Sequence, residues 1–108
     1  MNTPRSWFAA AVVGDSIYVA GGQGRDRFLN SVEVFDSKSN SWSYAPDLIC
    51  VRSSCYGLAL HNKFWVIGGE FMRNQYGDKP ERGSAEVYDP KIGSWSFIHE
   101  MWLDSSKV

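Results

Sequence analysis

Apolar and β-branched residues in this chain come in short runs, each stopped by turn residues. Ile17-Tyr18-Val19-Ala20 ends at Gly21-Gly22, and Phe64-Trp65-Val66-Ile67 ends at Gly68-Gly69. Val, Ile, Tyr, Phe and Trp suit a pleated, buried surface. Paired glycines close a strand because they reach backbone angles denied to other residues. The pattern repeats with a fixed offset. Arg5 and Arg52 lie 47 residues apart, as do Gly21 and Gly68; past the glycines the offset becomes 53, for Glu33 and Glu86, Val34 and Val87, Asp36 and Asp89, and Trp42 and Trp95. The second copy therefore carries a six-residue insertion directly after its glycine pair, a length change that a surface loop tolerates and a strand does not.

The periodicity predicts four strands in each copy. In the first repeat, residues 1–47, they cover 7–13, 16–21, 31–36 and 41–45, with Gly14-Asp15 as a tight hairpin turn and 23–30 as a polar loop. In the second, residues 48–101, they cover 55–60, 63–68, 84–89 and 94–98, with His61-Asn62 as the hairpin turn and a long loop at 70–83. Residues 102–108 form a tail. The third strands read Val-Glu-Val-Phe and Ala-Glu-Val-Tyr, apolar on both faces, and a sheet apolar on both sides wants a neighbour on each. The predicted class is all-β, with two four-stranded antiparallel blades stacked side by side.

Composition adds constraints. The chain has 108 residues, enough for one small domain. Its net charge of −1 gives no electrostatic reason to expect nucleic acid or an anionic membrane as a partner. Aromatic residues make up 15%, which argues for a folded chain with a core. No apolar run approaches the length of a membrane span, and with no signal or anchor pattern the expected location is cytoplasmic or nuclear. Cys50 and Cys55 are expected as free thiols. A zinc site would have to recruit His61 and His99, at a spacing that fits no familiar ligand pattern.

A lead-in Arg, an apolar strand, a tight turn, a strand ending Gly-Gly, a variable loop, a Glu-Val-aromatic-Asp strand and then a Trp together resemble the kelch repeat, whose period is about 50 residues. The resemblance runs over residues 4–101 in two copies. It implies blades of a β-propeller, here an incomplete one. A narrower likeness, carried by Thr3-Pro4-Arg5-Ser6-Trp7-Phe8-Ala9, Lys63-Phe64-Trp65-Val66 and Met101-Trp102, is to plant F-box/kelch proteins. There the propeller holds the substrate while an F-box recruits a ubiquitin ligase through a Skp1-type adaptor. These residues contain no F-box pattern, so the adaptor is expected only if an F-box exists outside this chain.

The resemblance implies a protein–protein interaction module, with no cofactor and no enzymatic activity. The alternatives are an actin-binding kelch protein and a metal-dependent kelch-propeller enzyme. The latter needs convergent metal ligands or a base, and the sequence offers no such cluster. Because strand two returns to where strand one began, the loops at 23–30 and 70–83 should emerge on the same face as Arg5 and Arg52. The resemblance places an acidic partner against Arg5, Ser6, Arg52 and Ser53. The other reading pairs these arginines with Asp or Glu of an adjoining loop. Arg25 and Arg27 in the first loop, and Phe71, Arg73 and Tyr76 in the second, complete the expected partner surface, since interface anchors favour aromatics and Arg. Gly21, Gly22, Gly68 and Gly69 are expected as structural markers, with Trp42 and Trp95 packing blades. Glu33 and Glu86 are expected to satisfy backbone donors or an Arg between blades. Two blades cannot close a ring, so each leaves one face uncovered. The chain is accordingly expected to continue in a longer product, to self-associate through these faces, or to be a remnant.

Overall fold

The computed structural model describes residues 1–70 and 83–99. Eight strands form in order: β1 (Ala9–Val13), β2 (Ser16–Ala20), β3 (Val32–Asp36), β4 (Ser41–Ala45), β5 (Tyr56–Leu60), β6 (Lys63–Ile67), β7 (Ala85–Asp89) and β8 (Ser94–Ile98). They make two four-stranded antiparallel meanders, β1-β2-β3-β4 and β5-β6-β7-β8. The predicted architecture is the observed one. Registers match between the sheets: Tyr18 pairs with Val34 as Trp65 pairs with Val87, and Phe35 pairs with Trp42 as Tyr88 pairs with Trp95. In the second hairpin turn His61 and Asn62 both take positive φ, 54° and 61°, the combination that matches the right-handed twist of the flanking strands.

The strands are shorter than the hydrophobic runs, for a backbone reason. Trp7 and Ser54 sit at φ 58° and 55°, and no strand continues through a left-handed residue. β1 and β5 therefore begin two residues later, at Ala9 and Tyr56. At the other end β2 stops at Ala20 because Gly21 turns to φ 67°. Ser31, expected within the third strand, instead turns its carbonyl to the Gly21 N–H and the Arg5 guanidinium.

The blades pack face to face, with β1 against β5 and β6. Strand alternation puts Ala9, Ala11, Val13, Tyr18, Ala20 and Val32 on the covered face of the first blade. Phe64, Val66, Tyr88 and Trp95 meet them from the second. Tyr18 stacks at ring-centroid distances of 5.4 Å from Phe64 and 5.8 Å from Tyr88. The inner strands approach closely at Gly57, where a Cβ would lie 2.7 Å from the Ala10 nitrogen.

Each blade also has an open face, and these carry five of the exposed large apolar side chains: Val12, Ile17 and Tyr44 on the first, Tyr56 and Leu60 on the second. By repeat position the two open faces are the two halves of the interface just described. They do not fit each other in the same way. Ala10 stands where Gly57 makes its close approach, and Tyr56 and Leu58 stand where Ala9 and Ala11 leave room. A second copy stacked by this geometry would be overpacked along the inner strands. The expectation about the tryptophans is corrected in one half. Trp95 does join the blades, ring to ring with Phe64 at 5.9 Å and through its Nε1–H to the Pro46 carbonyl at 2.8 Å. Trp42 lies on the open face of its blade, against Phe35 at 5.2 Å, because the second blade covers the opposite face.

Gly21 and Gly68 separate backbone conformation from blade packing. Both have positive φ, 67° and 71°. A Cβ on Gly21 would lie 2.5 Å from the Arg52 carbonyl oxygen, whereas one on Gly68 would meet nothing within 4 Å. Gly68→Ala is predicted to cost about 1 kcal/mol, the left-handed term alone. Gly21→Ala should cost roughly 1–3 kcal/mol more through steric conflict with the second blade. Urea unfolding of the two variants checks this, and equal losses would refute it.

Candidate functional site: the loop face

Both lead-in arginines turn inward. Arg5 donates through Nη1 to the carbonyls of Gly21 and Ser31, each at 2.9 Å, and through Nη2 to Ser31 Oγ at 3.0 Å and Glu33 Oε2 at 2.8 Å. Arg52 donates through Nε to Glu86 Oε2 at 2.8 Å, through Nη1 to the Gly68 carbonyl at 2.7 Å and through Nη2 to Ser84 Oγ at 3.1 Å. All four side chains of these ion pairs are fully buried. Each carboxylate also takes two backbone N–H groups: Asn2 and Thr3 for Glu33, Ile49 and Cys50 for Glu86. The glutamates thus serve backbone donors and an Arg together. That Arg belongs to the same blade, and the carboxylate comes from strand three rather than from a loop.

This geometry corrects part of the expected partner surface. Arg5 and Arg52 have their charge matched and their guanidinium groups enclosed, so neither presents a fork to an outside carboxylate. Ser53 is buried too, its backbone paired with Glu70. Phe71, Arg73 and Tyr76 lie outside the described residues.

Ser6, Arg25 and Arg27 are exposed. They line an open groove of about 710 Å³ together with Thr3, Pro4 and Gln23. The loop that carries the arginines is tied down along its length. Ser6 and Gln23 exchange backbone hydrogen bonds at 3.0 and 2.7 Å. Gly24 N–H closes a turn on the Arg27 carbonyl at 2.8 Å, and Leu29 N–H returns to Gly22 at 2.8 Å. The loop base is held by the second blade, through Arg52 N–H to the Leu29 carbonyl at 3.1 Å and Leu48 N–H to the Asn30 carbonyl at 2.7 Å. Arg25, Asp26 and Arg27 are exposed on this frame, two positive charges against one negative. An arginine fork so placed matches the oxygens of a carboxylate.

One exposed residue adjoining this face in the chain was missed. Trp7 follows Ser6 on the lead-in and is 67% exposed. Its backbone carbonyl accepts the Ser54 N–H at 2.9 Å. The signal was present in the alignment of the two copies, which sets Arg-Ser-Trp against Arg-Ser-Ser.

Other reactive groups are disposed elsewhere. Cys55 is half-buried, and burial pushes its thiol above the ordinary range, outweighing the hydrogen bonds and the Arg52 charge that pull it down. Among the described residues no group of three or more His, Cys, Asp or Glu gathers as a metal set.

Comparison with known proteins agrees with this geometry. Residues 4–49 match the family model described as Kelch motif. The chain is built of kelch repeats. It is similar to the F-box/kelch-repeat protein SKIP20 of Arabidopsis thaliana, 36% identical over 109 aligned positions that take in 94% of this chain and 25% of that protein. It is similar also to Kelch-like protein 25 of Homo sapiens, 33% identical over 97 positions, 88% of this chain and 15% of the relative. The kelch chain thus spans about a quarter or less of the length of these curated relatives.

Burial by itself would raise the Glu33 carboxyl; the Asn2 and Thr3 N–H groups and Arg5 outweigh it and hold the group below the usual carboxylate range. A depressed carboxyl contributes stability that is complete above the unfolded value of about 4.3 and is lost as pH falls through the lower folded value. Acid unfolding is therefore predicted to steepen below about pH 4. Glu33→Gln should lose about 3 kcal/mol at pH 7 and show a flatter acid limb. Denaturant midpoints at pH 7 and at steps from about pH 4 down to about pH 2.5 test both; a variant with the parent's acid slope would contradict the assignment.

Proposed function

We propose that this kelch chain is a protein-interaction module that presents the loop face of its first blade to a protein partner. In its fuller form the reading is the substrate-holding part of an F-box/kelch ubiquitin-ligase receptor. A Skp1-type adaptor would then engage an F-box outside this chain, in the cytoplasm or nucleus. The likeness to F-box/kelch-repeat proteins supports this setting.

The observation that carries the reading is the pair of exposed arginines, Arg25 and Arg27, on a loop fixed at its tip and at its base beside the groove. Loops held by a rigid scaffold are the usual place for recognition. Here the loop's backbone order is set before any partner arrives, which lowers the entropic cost of binding. The inward arginines leave Arg25 and Arg27 to meet an acidic partner.

The test is capture of partners by the tagged chain and by an Arg25→Gln/Arg27→Gln variant, read by quantitative mass spectrometry. Capture of the partner set is predicted to fall roughly tenfold in the variant, with the difference largest at low salt, because exposed charges act mainly on encounter and are screened. Equal capture by the two proteins would sink the reading.

A further inference from the structure

Positions 7 and 54 are the same place in the two blades, and the backbone treats them alike. Their φ angles are 58° and 55°, each directly after the Arg-Ser lead-in and just before the first strand. A left-handed conformation is costly for a bulky side chain and is held only where the surroundings impose it. Here the fold imposes it twice, and in the second blade a Ser fulfils it. The backbone therefore has no need of an indole at position 7. Nor does the core use it: Trp7 is 67% exposed, whereas Trp42, Trp65 and Trp95 are half-buried. Its main chain is nonetheless immobilised, the carbonyl fixed by Ser54 N–H at 2.9 Å and the preceding Ser6 paired on both sides with Gln23. A large aromatic on a pinned backbone, exposed to water, and one residue along the chain from Ser6 in the wall of a groove that Arg25 and Arg27 also line, has the composition of an interface anchor: Trp and Arg together, on a main chain with little freedom to lose.

The geometry points to Trp7 as the apolar anchor of the loop face, and to an acidic peptide segment with an apolar or aromatic side chain beside its carboxylates as the kind of ligand the face takes. The inference rests on the loop-face reading above and adds a residue and a ligand chemistry to it. The arginines account for the carboxylates. The indole accounts for the neighbouring apolar group, which would gain by leaving water on a surface already ordered. A basic or purely polar segment would leave both features unmatched.

A random library of short peptides displayed on phage, panned against the immobilised full chain, supplies the probe. The enriched peptides are expected to share a carboxylate pair next to an apolar or aromatic residue. Binding of the best synthetic peptide is then measured to the parent, to Trp7→Ser, to Trp7→Phe and to Arg25→Gln/Arg27→Gln. Ser is the residue already accepted at position 54, and far-UV circular dichroism checks that the variants keep the parent's spectrum. Trp7→Ser should weaken binding at least tenfold, Trp7→Phe by less, and replacing the apolar residue of the peptide should cost the parent but not Trp7→Ser. If Trp7→Ser binds as the parent does while the arginine variant fails, the anchor is overturned and the loop-face reading stands. If no acidic–apolar sequence is enriched, or binding is indifferent to both Trp7 and the arginines, the ligand class falls along with the anchor.

Discussion

The blade pair turns on one buried contact, Arg52 with Glu86. Two charges withdrawn from water cost several kcal/mol each unless their remaining hydrogen-bonding groups are also met. Here they are: the guanidinium reaches a carboxylate, a carbonyl and a hydroxyl, and the carboxylate takes two backbone N–H groups as well. Those partners lie on the ends of β6 and β7 and on the linker before β5, so the pair fixes the top of the second blade. The main chain of the same residue faces the other way. Its carbonyl accepts the Gly22 N–H at 2.6 Å and its N–H donates to Leu29 at 3.1 Å. One residue thus holds its own blade by its side chain and the preceding blade by its backbone. Satisfaction is close to all-or-none, because a half-met buried charge is worse than no charge at all. The spacing between blades is set accordingly, and the bare Gly21, where a Cβ would lie 2.5 Å from the Arg52 carbonyl oxygen, is what lets the first blade come near enough.

Arg5 and Glu33 repeat the arrangement with a difference. Arg5 approaches the carboxylate through Nη2, and its Nε is buried without a partner, whereas Arg52 spends its Nε on Glu86. An orphaned donor of this kind costs about 1–3 kcal/mol. Of the two ion pairs, Arg5 with Glu33 is therefore the less completely satisfied.

How far the sequence speaks for the structure depends on how local the signal is. Strand order, hairpins and the repeat offset were legible because alternation and turn chemistry act within a few residues. The strand edges were not, since nothing in the letters Trp7 or Ser54 announces a left-handed backbone. The lead-in arginines were read two ways because a fork that fits an outside carboxylate fits an inside one equally. What decides between them is a second residue, the Glu set among apolar neighbours in Val-Glu-Val and Ala-Glu-Val. A carboxylate in a strand apolar on both faces needs a cation, and the lead-in Arg is the cation the meander brings to it. Trp42 was misjudged for a topological reason. Equivalent residues in a row of blades have equivalent neighbours only in the interior of the row, and in these two blades the covered faces are opposite ones by repeat position.

The same logic separates scaffold from recognition. The lead-in Arg and the Gly-Gly pair are common to both blades and are consumed by the fold, so they cannot also distinguish partners. Whatever specificity the loop face has must come from positions where the blades differ on a shared backbone. Two such positions stand out: residue 7, Trp in one blade where the other has Ser, and the loop after the glycines, which in the first blade is a closed turn bearing Arg25 and Arg27. The buried pairs make this division workable. Because Arg5 and Arg52 are already neutralised inside, the charge on the loops can vary without disturbing the joint beneath them, and the exposed arginines act on a surface whose position they do not help to hold.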